Sequence, residues 1–393
     1  MLYSVDDYIL IKAIGKGNFG DVYLTQKQNC GELFATKKMN RSICDQPSFF
    51  SRLSYEVGIL QAVNHPNIIK YIDLKKTNHN YYLITEFANG GSLKYNLWRY
   101  MTAYHRPFPE DIVQYLMKQI VDAVKYLHFN KIIHRDLKLD NILINYKTEQ
   151  DKINLNLKNC QIKIIDFGFA KVLDNQFTFT TLGTPYNMEP KILEDVTTGK
   201  PNTGYNEKAD IWSLGTLCYE MVVGHTPFVG STFQELYQKV KNGHYTLPMT
   251  LSEELISFIN DMLQQEPKQR ADAYQLLNHK FLVNPISSFH HIDAKKIPPN
   301  YLSEGMINIS SKQPETKTEE NINIWSIFND PTFNQGPKSV QFQNQVQHIQ
   351  PVQPIQKYIS GQQLNYGYGY QIPQQQQVYS NQFQNQYQYQ QYY

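Results

Sequence analysis

Four side chains that suit phosphate chemistry lie close together in the sequence, between residues 134 and 166. Asp136 and Lys138 belong to the run HRDLKLDN, which ends at Asn141, and Asp166 opens the run DFG. An aspartate can accept a proton, and a lysine can neutralise a phosphate oxygen. An asparagine and a second aspartate offer the oxygen ligands that Mg²⁺ prefers. This set indicates phosphoryl transfer, in which catalysis depends mainly on positioning and on neutralising phosphate charge.

A glycine-rich segment near the N-terminus is a second pattern related to phosphate binding. Gly15, Gly17 and Gly20 have the spacing G-x-G-x-x-G, and glycine lets backbone amides approach phosphate oxygens closely. A dinucleotide-binding fold would require a helix directly after these glycines. Here Val22 opens a run of strand-forming residues, so a β-hairpin is predicted. The hairpin either covers a bound phosphate or is a plain glycine-rich turn.

Two adjacent lysines follow in the next predicted strand. Side chains alternate along a strand, so Ala35 and Lys37 share one face while Lys38 points the other way. If the small Ala35 leaves room for an adenine ring, Lys37 reaches the phosphates. The alternative is that both lysines are surface charges.

The chain from about residue 8 to residue 282 resembles the eukaryotic protein kinase superfamily, because its motifs occur in the expected order. HRDLKLDN and DFG fit the catalytic-loop and magnesium-binding signatures of that superfamily. Further matching motifs are HPNII at 65–69, TEFA at 85–88, LGTPY at 182–186 and DIWSLG at 210–215. The resemblance implies an α+β fold with a β-rich N-lobe and a mostly helical C-lobe, and it implies ATP and Mg²⁺ as cofactors.

Catalytic roles follow from the resemblance. Asp136 would orient the substrate hydroxyl and accept its proton, and Lys138 would offset charge on the transferred phosphoryl group. Lys37 would contact the α- and β-phosphates. Glu56, on a helix, would pair with Lys37 and hold it in place.

Ligand-binding and packing roles are implied in the same way. Asn141 and Asp166 are expected to bind Mg²⁺. The residues expected to line the ATP site are Ile14, Gly15, Gly17, Gly20, Val22, Ala35, Lys37, Thr85, Glu86, Ala88 and Leu143. The side chains expected to form a hydrophobic column in the active state are Leu60, Tyr71, His134 and Phe167.

The motifs also bear on substrate type and control. Lys138, together with the run GTP at 183–185, is similar to the serine/threonine branch of the superfamily. Arg135, beside the candidate catalytic aspartate, implies control by phosphorylation, because a buried arginine there needs an anionic partner. The candidate phosphorylation sites are Thr178, Thr180 and Thr181, and Thr180 is the best placed.

One segment departs from the family pattern. Where protein kinases have Ala-Pro-Glu, this chain has Glu189, Pro190 and Lys191. The usual glutamate would pair with an arginine near the end of the domain, here Arg270. Lys191 facing Arg270 would be a costly contact between like charges if it were buried. Either Glu189 substitutes for the missing glutamate, or the segment shifts.

Subfamily features are fewer. A polar insertion at 146–159 makes the chain similar to the ULK-type autophagy-initiating kinases. The segment 325–328 is similar to the motif that binds autophagy ubiquitin-like proteins, although a hydrophobic patch that packs on the kinase is the alternative. Ser92 lacks the acidic group with which some kinases select arginine in their substrates, and Asp140 could supply only part of such a site.

Helices must position these residues, and the sequence predicts three helices. Apolar residues recur at helical spacing over 112–127, which predicts a long amphipathic helix. Further helices are predicted at 209–223 and 253–263.

Composition limits the function classes. Lys plus Arg (37) nearly balances Asp plus Glu (35), which gives no electrostatic reason to expect nucleic acid as a partner. The four cysteines are scattered and predict free thiols rather than disulfides or a zinc site. The acidic N-terminus has no apolar core typical of a signal peptide, and no integral membrane segment is expected. The expected location is the cytoplasm, with the nucleus as the alternative.

Composition also divides the chain. An N-terminal extension (1–7) precedes the kinase domain (8–282), and a polar linker (283–340) leads to a tail (341–393) rich in Gln, Asn and Tyr. The tail has few aliphatic residues to bury, so disorder is predicted, and its composition is linked to self-association or scaffolding.

Two other function classes stay open. A pseudokinase that acts as a binding scaffold is suggested by Lys191, but the intact catalytic residues argue against it. The second alternative makes the tail the main functional element, as an assembly module that gathers several copies of the chain.

Overall fold

The computed structural model describes residues 3–17, 20–172, 185–198 and 206–285, together with the two-residue strand at 318–319. The segment with the candidate phosphorylation sites and the predicted tail at 341–393 lie outside these residues, and so does almost all of the predicted linker.

The elements of the N-lobe are β1 (Tyr3–Val5), β2 (Tyr8–Gly17), β3 (Gly20–Lys27), β4 (Leu33–Asn40), α1 (Arg41–Cys44), α2 (Pro47–Ala62), β5 (Tyr71–Thr77) and β6 (Asn80–Glu86). Those of the C-lobe begin with α3 (Leu93–Tyr104), α4 (Glu110–Phe129), β7 (Ile132–Ile133), β8 (Ile142–Tyr146), α5 (Glu149–Ile153), β9 (Cys160–Ile164) and β10 (Lys171–Val172). The remaining elements are α6 (Pro190–Thr198), α7 (Lys208–Val223), α8 (Phe233–Asn242), α9 (Glu253–Met262), α10 (Ala273–Leu277), α11 (Lys280–Val283) and β11 (Thr318–Glu319). Short 3-10 turns lie at Leu139–Asn141, Leu157–Asn159 and Pro185–Asn187.

The strands of the N-lobe form one antiparallel sheet. Their order is β1-β2-β3-β4-β6-β5-β11, so β1, from the predicted N-terminal extension, adds an edge strand to the domain. The predicted glycine hairpin is β2 and β3, and Gly17 pairs with Gly20 across its end. Helix α2 packs against β5. This arrangement brings the lysine strand β4 and the glutamate helix α2 into one lobe.

The C-lobe is built around two buried helices. Helix α4 contains the predicted amphipathic run and buries the stripe Ile112, Val113, Leu116, Met117, Ile120, Val121, Ala123, Val124 and Leu127. Helix α7 agrees with the helix predicted at 209–223 and is buried along nearly its whole length. It packs against both α4 and α9, so it is the centre of the lobe.

The predicted helix at 253–263 is α9, which begins after Ser252. The Ser252 hydroxyl accepts a hydrogen bond from the Leu255 backbone N–H, as expected for an N-cap serine. The α+β fold with a β-rich N-lobe and a helical C-lobe is therefore confirmed. In the described ranges, no helix is both long enough and apolar enough to cross a membrane.

Candidate active site

Lys37 and Glu56 form an ion pair in the N-lobe. The Lys37 Nζ lies 3.3 Å from Glu56 Oε1, and both side chains are largely buried. Burial by itself would lower the pKa of Lys37, but the charges of Glu56 and Asp166 outweigh burial and raise that pKa. The lysine therefore remains a cation, held at the edge of the site and electrostatically coupled to Asp166.

The loop with the run HRDLKLDN, the predicted catalytic loop, is anchored by Asp210, the third residue of α7. Its fully buried carboxylate accepts hydrogen bonds from the backbone N–H of His134 (2.9 Å) and of Arg135 (2.8 Å). His128 Nε2 lies 2.9 Å from the same carboxylate. Burial would raise the pKa of Asp210, but His128 and these hydrogen bonds hold it below its ordinary value. Arg135 itself has a φ of 67°, a left-handed conformation that this anchoring maintains.

Asp136, Lys138 and Asn141 meet within this loop. Lys138 Nζ lies 3.0 Å from Asp136 Oδ2. Asn141 Nδ2 donates to the backbone oxygen of Asp136 at 2.8 Å and to its Oδ2 at 2.9 Å. Burial would lower the pKa of Lys138, yet the charge of Asp136 raises it, so the lysine stays charged. A buried, oriented carboxylate thus lies beside a fixed cation.

The two predicted metal ligands offer suitable oxygens. Because Asn141 uses its Nδ2 on Asp136, its Oδ1 is the atom it offers to a cation. Asp166 has a φ of 64°, and its Oδ1 accepts a hydrogen bond from the Gly168 N–H at 3.4 Å. An amide oxygen and a carboxylate are hard donors, so this pair fits Mg²⁺.

Two members of the predicted hydrophobic column touch each other. The rings of His134 and Phe167 meet edge to face, with centroids 4.9 Å apart, and both side chains are fully buried. Leu60 on α2 is buried, whereas Tyr71 on β5 is half-buried. The structure therefore buries three of the four side chains and brings the central pair into contact.

Gly20 has a packing reason to be glycine, independent of phosphate. A Cβ at this position would come within 1.8 Å of the Lys38 backbone oxygen on β4, so any side chain would displace a strand. Gly15 pairs with Val22 across the hairpin, and Ile14 is half-buried on the same strand. The close approach of β3 to β4 alone accounts for the third glycine of the motif.

The other residues predicted to line the nucleotide site lie where the two lobes join. Ala35 on β4 pairs with Thr85 on β6, whose hydroxyl donates to the Ala35 backbone oxygen at 3.5 Å. Ala88 is buried just after β6. Leu143 on β8 forms a single β-bridge with Ser92.

Glu86 differs from these residues because its side chain is engaged elsewhere. Its carboxylate lies 2.8 Å from Lys163 Nζ and also accepts a hydrogen bond from the Lys70 N–H at 2.8 Å. Lys163 is a buried charged residue at this site that the sequence interpretation missed. A lysine within the apolar strand β9, three residues before Asp166 opens the DFG run, was the available signal.

The structure decides between the two alternatives for the segment at 189–191. Glu189 substitutes for the missing glutamate: Arg270 Nη1 donates to its Oε2 at 2.6 Å, and both side chains are buried. Lys191 instead pairs with the exposed Glu266 at 3.4 Å. The like-charge contact considered for Lys191 and Arg270 does not form, because Lys191 lies on the outer face of α6. Arg270 also lies over the Trp212 ring, 5.1 Å from its centroid.

The predicted control residue Arg135 donates from Nε to the Phe169 backbone oxygen at 2.5 Å. Thr180 and its neighbours lie outside the described residues, so the structure does not place them near Arg135.

Residues 8–282 match the sequence model of the family described as "Protein kinase domain". The chain is 33% identical over 281 residues to the probable serine/threonine-protein kinase MARK-A of Dictyostelium discoideum, covering 71% of this chain and 24% of that protein. It is 33% identical to the serine/threonine-protein kinase RAD53 of Saccharomyces cerevisiae, covering 74% and 35% of the two chains. It is 31% identical to the serine/threonine-protein kinase AtPK1/AtPK6 of Arabidopsis thaliana, covering 77% and 60%. The chain thus spans from a quarter to three fifths of the length of these relatives.

Proposed function

This chain belongs to the protein kinase family, and we propose that it is a serine/threonine protein kinase, which transfers the γ-phosphoryl group of ATP to hydroxyl groups of proteins. The observation that carries the proposal is the joint placement of two ion pairs. Lys37 with Glu56 and Asp136 with Lys138 are both largely buried, and Asp166 influences the lysine of each pair.

The reaction uses Asp136 as the residue that orients the acceptor. The substrate hydroxyl oxygen forms a bond to the γ-phosphorus while the bond from that phosphorus to the β,γ-bridging oxygen breaks. The hydroxyl proton passes to Asp136, and ADP leaves with the bridging oxygen. Asn141 holds Asp136 by two hydrogen bonds, one to its backbone oxygen and one to its Oδ2, so the direction of the carboxylate is set before substrate arrives.

Lysine charges are the protein's own contribution to stabilising phosphate. Lys138 stays charged beside Asp136 and would neutralise the transferred group. Lys37 stays charged beside Glu56 and would hold the α- and β-phosphates. Asn141 and Asp166 would hold Mg²⁺, which neutralises phosphate oxygens when bound.

Two further features of the proposal concern specificity and control. The choice of serine and threonine is supported by Lys138 in its motif and by the printed names of the relatives. Control by phosphorylation of Thr180 is supported by Arg135 beside the catalytic loop, and phosphosite mapping of active enzyme tests it. If a Thr180→Ala chain keeps full activity, this control is refuted.

An autophagy-initiating role of the ULK type is supported by the insertion at 146–159, which forms α5 and a 3-10 turn. We place the protein in the cytoplasm, with the nucleus as the alternative, and assign self-association or scaffolding to the tail. Imaging of the full chain and of a chain lacking residues 341–393 tests both; unchanged clustering would refute the role of the tail.

The test of the proposed activity is transfer of labelled phosphate from ATP to a generic protein substrate. Lys37→Met and Asp166→Asn should each reduce the rate by about a hundredfold or more, because each removes charge stabilisation at the phosphates. Lys38→Met is the matched control, since Lys38 is the next residue on β4 and should leave the rate unchanged.

Equal activity of Asp166→Asn and the wild type would refute the site assignment. A folded wild-type chain without any transfer, under conditions in which it binds ATP, would favour the pseudokinase alternative.

A further inference from the structure

Beside the catalytic loop, Lys94 and Glu220 form an ion pair that the proposed phosphate chemistry does not use. Glu220 lies near the end of α7, and only 4% of it is exposed. Lys94, the second residue of α3, donates from Nζ to Glu220 Oε1, and about a third of its side chain (34%) reaches solvent. Burial raises the pKa of Glu220, and the charge of Lys94 opposes this. A buried carboxylate in this position requires a cation, and the chain supplies its own.

A second carboxylate lies close to this pair. Asp140 belongs to the 3-10 turn Leu139–Asn141, and α3 packs against that turn. Ser92, the N-cap of α3, also forms a β-bridge with Leu143. The charge of Asp140 acts on both Glu220 and Lys138. Asp140 is therefore in the same loop as Asp136, on the turn against which the helix of Lys94 packs.

The position of this group relative to the acceptor follows from chain geometry. The acceptor hydroxyl of a substrate must reach Asp136, and an extended peptide advances about 3.3 Å per residue. Asp140 lies four residues after Asp136 in the same loop, so side chains a few residues from the acceptor can come within reach of the turn that carries Asp140. The charged groups near this turn are the carboxylates of Asp140 and Glu220 and the ammonium group of Lys94. Lys94 pairs with Glu220, the more deeply buried of the two carboxylates.

We propose that Lys94 determines the charge preference of the enzyme for a substrate residue near the phosphoacceptor. Lys94 fills the position at Glu220 that an arginine or lysine of the substrate would otherwise take. The wild-type enzyme then favours serine and threonine sites without a basic residue at that position. This inference rests on the proposed kinase function and adds a substrate class to it.

The experiment compares peptide arrays phosphorylated by the full-length wild type, Lys94→Met and Lys94→Met/Glu220→Gln. Arginine, alanine and glutamate are placed in turn at each position around one serine, and each array is normalised to its own all-alanine peptide. Lys94→Met should prefer arginine over alanine by about tenfold at one position, because a charge-assisted hydrogen bond to a buried carboxylate replaces the lost one. The double variant should lose that preference, and Lys94→Arg should resemble the wild type.

If Lys94→Met does not fold, Lys94→Gln is the second variant, since it removes the charge but keeps a donor for Glu220, and it should acquire the same preference. A folded variant without Lys94 and with the same array as the wild type would overturn the inference while leaving the kinase function intact. A wild type that already prefers arginine at that position would overturn it as well. An inactive wild type overturns the proposed function and this inference together.

Discussion

Replacing Glu189 with alanine should destabilise the C-lobe more than any neighbouring charge substitution. Arg270 has a fully buried side chain, and Glu189 is its only carboxylate partner among the described residues. The substitution leaves a buried guanidinium, which still donates to the backbone oxygens of Gln264 and Lys208. Breaking a buried ion pair by removing one partner costs about 3–5 kcal/mol, and the remaining carbonyl acceptors place the expected loss near the lower value, about 3 kcal/mol.

Urea unfolding at neutral pH, followed by intrinsic fluorescence, measures this loss. Trp212 is fully buried and lies against Arg270, so its emission reports the region directly. Lys191→Ala is the matched control, because it removes a charge two residues away whose partner Glu266 is exposed. Surface pairs contribute about 0–1 kcal/mol, so the control should change the free energy of unfolding by less than about 1 kcal/mol.

The same substitution should lower kinase activity. The segment that begins at Pro185 is attached to α7, because Asn187 Nδ2 donates to Thr216 Oγ1 at 2.7 Å and Ser213 Oγ donates to the Asn187 backbone oxygen at 2.8 Å. Glu189 continues this attachment toward Arg270. Equal losses of less than about 1 kcal/mol for Glu189→Ala and Lys191→Ala would refute the conclusion that Glu189 has replaced the missing glutamate.

Two further predictions concern other buried charges. Lys163→Met should raise the KM for ATP and leave kcat nearly unchanged, because Glu86, at the end of β6 where the two lobes join, loses its charged partner. The same substitution should lower the free energy of unfolding by about 1–2 kcal/mol. Lys158→Met, which removes an exposed pair, is its control, and an unchanged KM for Lys163→Met would contradict the expectation. The pKa of Asp210 is held below its ordinary value, so its carboxylate stabilises the folded chain at every pH above the unfolded value of about 4. The difference in unfolding free energy between the wild type and Asp210→Asn should therefore be full at pH 7 and shrink as the pH falls through the folded pKa; a difference that grows in acid would refute this.

Local patterns in the sequence were sufficient to predict several of the elements, and they indicated the proposed type of chemistry. Helical spacing located α4, because its buried stripe faces one side of a regular helix. Strand alternation separated Lys37 from Lys38, and the structure has Lys37 on the side of Glu56. The run HRDLKLDN identified residues that contact one another in the structure, because residues so close in sequence are held near each other by a single loop.

What required the tertiary structure was the choice of partner for each buried charge. Glu189 and Arg270 are 81 residues apart in the chain, and Lys94 and Glu220 are 126 residues apart. No local periodicity relates such positions, because their distance depends on how α3, α6 and α7 pack. The sequence by itself therefore determined the fold and indicated phosphoryl transfer as the proposed chemistry. The packing of the C-lobe decided that Glu189 pairs with Arg270 and that Lys94 pairs with Glu220. The physical reason is that a buried charge is costly unless it pairs with an opposite charge nearby.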